Sequence, residues 1–144
     1  MVHIVDEGSE FDAPLDKIWR FLQTPEAHGP SHPEHMNNGA KPLSESSLQV
    51  TWEQDMDGKT VKVVNRVTML PPLGLAIEQI EGPLAGSKFF NIYTPKGSKT
   101  GVTVIGDFRS PVVPESHLEP MVRKNFEHVF AQDTASLKKF AGTK

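Results

Sequence analysis

The chain has no cysteine, and that absence removes several kinds of chemistry at once. Without thiols there is no disulfide, no thiolate zinc site and no iron–sulfur cluster. Any metal must be held by histidine and carboxylate. Long apolar runs are missing as well, and none approaches the roughly 20 residues that a membrane-spanning helix needs. The opening MVHIVDEGSE carries Asp6 and Glu7 where a signal peptide would place its apolar core, so a cytoplasmic protein is expected. Charge is balanced, with a net value of −3, a pI near 6.0 and scattered Lys and Arg. That pattern argues against a nucleic-acid surface. There is no internal repeat, linker or low-complexity tract. A Ser-His-Asp or Cys-His arrangement, a phosphate-binding glycine loop and paired carboxylates at a suggestive spacing are all lacking, so a covalent mechanism is not expected.

What is present is an ordinary globular composition. A chain of 144 residues with 37% hydrophobic content and 11 glycines fits one domain over residues 1–144. Such a domain buries about two-thirds of its unfolded surface, enough for a core. The rest is organised around residues 114–140. At 100° per residue this stretch places Leu118, Val122, Phe126, Val129, Phe130, Leu137 and Phe140 on one stripe, with Arg123, Lys124, Glu127, Ala131 and Lys138 opposite. In the middle of the apolar stripe stands Asp133. An uncompensated buried carboxylate costs several kcal/mol, so Asp133 is expected to be hydrogen-bonded, ion-paired, metal-bound or at the edge of a wet cavity.

In chain order, residues 2–11 read as a strand. DAPLDKIWRFL then reads as a short helix, with Pro14 in the first turn and Leu15, Ile18, Trp19 and Leu22 on one side. The segment PEAHGPSHPEHMNNG holds three of the six histidines. Within it Ser31-His32-Pro33-Glu34 matches a capping box and predicts a one-turn helix, with His32 and His35 on one face and Asn37, Asn38 and Gly39 ending the turn. Strands are predicted at 48–54, 60–69, 74–81, 88–94 and 100–109, with Asp57-Gly58 as a hairpin turn between the first two. Pro120 would kink the long helix unless its regular part starts nearby.

The layout is α+β: a strand, two short helices, an antiparallel meander and a long amphipathic helix lying across a curved sheet. The segments AP.D.IWRFL, GPLAGSKF and YTPKGSKT.V.V, in this order and over nearly the whole chain, resemble the START-like, or SRPBCC, superfamily. That resemblance implies the helix-grip fold of the birch pollen allergen, polyketide cyclases and lipid-transfer domains, with a hydrophobic cavity between helix and sheet. The more apolar register of the strands predicts that Leu48, Val50, Trp52, Val61, Val63, Asn65, Val67, Phe90, Ile92, Val102, Val104 and Phe108 face the helix. From these, Trp52, Asn65, Val67, Phe90 and Phe108, with Phe126 and Phe130 of the helix, are the expected ligand-binding residues. A mostly apolar wall with a few placed polar groups suits a small molecule.

The resemblance also extends to the catalytic domains of Rieske-type oxygenases, which hold one iron with two histidines from the early region and an aspartate from the last helix. It implies His28, His32 and Asp133 here, although three residues separate His28 from His32 where that family has four. From the residues alone, neutral imidazoles with a carboxylate suit zinc or ferrous iron, so His28, His32, His35 and Asp133 form the candidate set for one divalent ion. Three function classes are compatible with this reading. The first is binding of a lipophilic or aromatic small molecule. The second is a metal-dependent enzyme, hydrolase, cyclase or oxygenase-like, acting on an aromatic or polyketide-like substrate. The third is a co-chaperone or interaction domain.

Overall fold

The structure is a computed structural model that describes residues 1–24, 36–56 and 58–142. Its strands are β1 (Val2–Phe11), β2 (Met36–Pro42), β3 (Ser47–Met56), β4 (Lys59–Leu70), β5 (Gly74–Glu81), β6 (Lys88–Lys96) and β7 (Lys99–Phe108). Helix α1 (Leu15–Leu22) follows β1, and α2 (Glu115–Gly142) is the last of the described elements. The strands make one antiparallel sheet in the order β1-β7-β6-β5-β4-β3-β2. Tight hairpins fix its register. Met56 pairs with Lys59 and Lys96 with Lys99, while Gly58 and Gly97 take φ of 81° and 69°, the left-handed conformation that two-residue hairpins require.

The predicted meander is present as β3 to β7, but β2 adds a strand where Asn37, Asn38 and Gly39 were expected to end a helical turn. Asn, Gly and Pro are poor strand formers, and β2 forms because the edge of β3 is free to pair with it, Ala40 opposite Val50 and Pro42 opposite Leu48. Edge position tolerates Pro42, since only one side of the strand needs its donors. The predicted one-turn helix and its capping box fall within residues 25–35, outside the described residues.

Helix α2 runs through Pro120. The ring sits near the helix start, so its missing N–H deprives only the carbonyl of exposed Ser116 of a helical partner. The stripe lies as its periodicity predicts. Leu118, Val122 and Leu137 are buried, Phe126, Val129, Phe130 and Phe140 are half-buried, and Lys124, Glu127, Ala131 and Lys138 are exposed. The helix closes on the sheet through two clusters. One gathers Phe11, Ile18, Trp19, Phe21, Tyr93 and Leu137 beneath α1, with Phe11 stacked on Phe130 at 4.7 Å. The other joins Ile4, Phe108, Leu118 and Val122, flanked by Phe89 and Phe126.

The second cluster depends on a glycine. Gly106 pairs with Phe89 on the inner side of the sheet, and a Cβ there would run into the Phe89 Cβ and the Lys88 carbonyl. Phe89 can lie flat beside Phe108, ring centroids 5.1 Å apart, because residue 106 has no side chain. Gly106→Ala is therefore expected to lower stability by about 1–3 kcal/mol through overpacking, read as a lower denaturant midpoint with an unchanged slope.

Candidate ligand site on the concave face of the sheet

Register identifies the inner wall. Leu48, Val50 and Trp52 of β3 stand opposite Val67, Asn65 and Val63 of β4. Val67 stands opposite Ile77, and Ile77 opposite Phe89, whose ring lies 6.3 Å from that of Phe126 on α2. These side chains share one face, and it is the face beneath the helix. On β7, Val102 and Phe108 also point inward, as their alternation predicts.

Strand β6 departs from the expectation. Phe90 and Ile92 are 49% and 38% exposed and point to the convex side, where Phe90 stands between Ala76 and Ile105. Facing inward instead are Phe89, Asn91 and Tyr93. A one-residue shift of register turns every side chain of a strand over. In KFFNIY the polar Asn91 makes the correct inner set look the less apolar of the two. The hairpin resolves the choice: Lys96 pairs with Lys99 across Gly97 and Ser98, which places Tyr93 opposite Val102 and Asn91 opposite Val104. Propagating the β7 alternation through that two-residue turn would have found both.

The expected ligand-binding residues thus separate into three groups. Trp52, Asn65 and Val67 on the sheet and Phe126 and Phe130 on the helix lie on the concave side and are half-buried. Phe108 also points inward but is fully buried, a core side chain with no accessible surface. Phe90 lies on the opposite face of the sheet. The half-burial decides where a ligand could sit. Leu48, Val50, Trp52 and Val67 point toward the helix side and yet keep access to solvent. Those strands therefore carry an apolar wall with partly accessible side chains among the described residues. A separate cleft of about 270 Å³ lies by the β1 bulge, lined by Glu7, Thr94, Lys96 and Thr103 among others. It is polar and does not coincide with this wall.

Two polar islands interrupt the apolar surface. In the first, Gln79 of β5 is buried opposite Asn65; its Nε2 donates to Asn65 Oδ1 at 3.3 Å and its Oε1 accepts the Leu84 N–H at 2.8 Å. The second lies where α2 crosses β6. Asp133 is half-buried, its Oδ1 is shielded from solvent, and its charge acts on Tyr93, 7% exposed, among the first cluster. Burial, first, and the Asp133 carboxylate, second, push the Tyr93 phenol well above its ordinary range, while a hydrogen bond with Asn91 acts in the opposite direction. The phenol is therefore a proton-bearing group at any physiological pH. Trp19 packs edge-on against Tyr93 with centroids 5.9 Å apart, and its Nε1 donates to the Pro72 carbonyl at 3.3 Å. None of Gln79, Asn91 and Tyr93 was expected from sequence.

His28, His32 and His35, the imidazoles of the candidate metal set, lie outside the described residues. Among the described residues, no group of three or more His, Asp or Glu side chains is placed to hold a metal ion. His3 lies on the convex face with its Nδ1 2.9 Å from Asp107 Oδ1. His117 and His128 are on the exposed side of α2. No helix among the described residues is long and apolar enough to cross a membrane.

No family model and no curated protein sequence matches the chain. Solved structures do match. The chain is similar to the ZhuI aromatase/cyclase from Streptomyces, with 15% identity over 98% of this chain and 93% of that one and a TM-score of 0.72. A START superfamily protein from Mycobacterium smegmatis aligns at 15% identity, 96% and 99% coverage and a TM-score of 0.70. The di-domain ARO/CYC StfQ from the steffimycin biosynthetic pathway aligns at 14% identity over 99% of this chain but 52% of its own length, with a TM-score of 0.78. At these identities the likeness speaks for the fold. The chain has the START-like helix-grip fold: a curved seven-stranded antiparallel sheet with a long C-terminal helix.

Proposed function

We propose that this START-like domain binds a lipophilic or aromatic small molecule between the concave face of its sheet and α2. The observation that carries the reading is the set of inward apolar side chains Leu48, Val50, Trp52 and Val67, which stay partly accessible and belong to neither of the two core clusters, with Phe126 and Phe130 at the rims of those clusters on the helix side. Covering such surface with an apolar ligand gains about 25 cal/mol per Å². The START and aromatase/cyclase structures of the same fold support this class of ligand. A hydrophobic fluorescent dye is expected to bind the folded chain and to be displaced by polycyclic aromatic compounds, with Trp52→Ala weakening binding about tenfold or more. Failure of the native protein to take up any such compound would leave the interaction-domain reading in its place.

A second reading, an enzyme acting on an aromatic or polyketide-like substrate in the same concavity, is favoured by the half-buried Asp133 carboxylate on the otherwise apolar stripe of α2, close enough to act on Tyr93. Within that reading we propose that Asp133, with two or three of His28, His32 and His35, holds one zinc or ferrous ion. A carboxylate with neutral imidazoles is a suitable donor set for either. Such an ion, when bound, would polarise a carbonyl or activate a water. Asp133 would supply the charge, and the apolar wall would orient the substrate and exclude bulk water. Elemental analysis of untagged protein is expected to find near one equivalent of metal, and Asp133→Ala to lose most of it. Affinity should fall as pH drops through about 6.5, where imidazoles protonate. Native protein that takes up neither ion on titration would remove the metal from the account and leave binding alone.

A further inference from the structure

The first polar island has a direction built into it. The Leu84 N–H can only donate, so the Gln79 side-chain atom 2.8 Å away must be the carbonyl oxygen. The other end of Gln79 is then an NH₂ group and can only donate. The Asn65 atom 3.3 Å from it must in turn be the Asn65 carbonyl oxygen. A single backbone N–H thus fixes the orientation of two amides in series, and the Asn65 NH₂ is left as the end of the relay.

The relay is held firmly at its buried end. Gln79 is 7% exposed, and its strand position is locked by backbone bonds with the following turn: Gln79 N–H to the Ser87 carbonyl at 3.0 Å and Gly86 N–H to the Gln79 carbonyl at 2.9 Å. Gly82 makes room for the side chain. Its φ is +125°, and a Cβ there would lie 2.6 Å from Gln79 Oε1. Asn65, by contrast, is half-buried on the concave wall, flanked by Val63 and Val67 along β4 and opposite Val50. The wall therefore presents an oriented N–H donor amid apolar side chains.

We propose that Asn65 is a specificity-determining residue, its amide NH₂ donating a hydrogen bond to a carbonyl or other acceptor oxygen on an otherwise apolar ligand. The inference rests on the ligand-binding reading above and narrows it to acceptor-bearing compounds. Gln79 is the positioning residue, acting only through Asn65.

The test compares 9-fluorenone with fluorene, two rigid tricyclic molecules that differ chiefly in a carbonyl oxygen against two hydrogens. Dissociation constants are measured by calorimetry on the whole chain. The native protein is expected to prefer fluorenone by about five- to tenfold beyond the ratio set by the two compounds' partitioning between water and octanol. Asn65→Leu keeps similar bulk, removes the donor, and should abolish that preference, bringing the ratio of the two dissociation constants to the partition ratio. Asn65→Asp keeps the acceptor for Gln79 Nε2, and so the fold, but turns an acceptor toward the ligand; it should weaken fluorenone more than fluorene. Should Asn65→Leu fail to fold, the Asn65→Asp selectivity decides alone. If both compounds bind the native chain without the excess preference, or if the preference survives both substitutions, the role of Asn65 is overturned and the ligand-binding reading stands. If neither compound binds, both fall together.

Discussion

Phe108→Ala is expected to destabilise the protein by about 3–5 kcal/mol, with a fall in Tm of roughly 6–20 °C. Phe108 has no accessible surface, stacks on Phe89 at 5.1 Å and meets Phe126 edge-on at 5.6 Å. It is the ring on which the second cluster of α2 is assembled, with Ile4, Leu118 and Val122 around it. Removing it forfeits the transfer energy of a whole aromatic side chain and leaves a void between a helix and a sheet that are both fixed elsewhere, so the site cannot collapse. Against a total stability of about 5–15 kcal/mol, that is a large fraction. The comparison with Trp52→Ala separates two roles that sequence reading had merged. Trp52 is half-buried on the same face. Its loss should fall mainly on ligand affinity, that of Phe108 mainly on folding. Urea denaturation and dye binding, measured on both variants, would contradict this if Phe108→Ala kept its stability and lost its ligand.

How much of this was legible depends on how many physical constraints converged on each residue. The inner faces of β3 and β4 could be read because a two-residue hairpin and clean alternation both demand the same register, and Trp52, Asn65 and Val67 are where that register puts them. The stripe of α2 was readable for the same reason, Asp133 included. In β6 the two registers of KFFNIY are nearly equal in apolar content, and local pattern chose Phe90 and Ile92. What settles the matter is the pairing of Tyr93 with Val102, a contact between strands. Strand β2 has no strand propensity of its own, and only the open edge of β3 makes it one. Gln79 was invisible for another reason. Its role comes from the turn between Gly82 and Ser87, whose Leu84 N–H needs an acceptor, and hydrophobic periodicity carries no information about such a need.

Tyr93 is the sole tyrosine of the chain, so its ionisation can be followed directly through the tyrosinate ultraviolet band, and we expect that band to stay undeveloped in the native protein at pH 10. Free tyrosine is half-ionised near pH 10. In the fold, burial raises the phenol well above that value, and the Asp133 carboxylate raises it further. The consequence for stability has a definite sign. Below pH 10 folded and unfolded chains both keep the proton and the stability is fully present. Above pH 10 the unfolded chain loses its proton first, so unfolding gains about 1.4 kcal/mol for each further pH unit until the folded phenol also ionises. The protein should therefore open on alkaline titration, with the tyrosinate band and the loss of circular dichroism appearing together. Asp133→Asn removes the like charge but leaves the burial, so the phenol should titrate at lower pH than in the native chain and still above 10. Tyr93→Phe should cancel this part of the alkaline destabilisation, since no proton remains to be lost. A native phenol that titrates near 10 with the fold intact would mean that Tyr93 is solvated. An unchanged titration in Asp133→Asn would mean that its carboxylate does not bear on the phenol, and that α2 and β6 do not meet at this polar island.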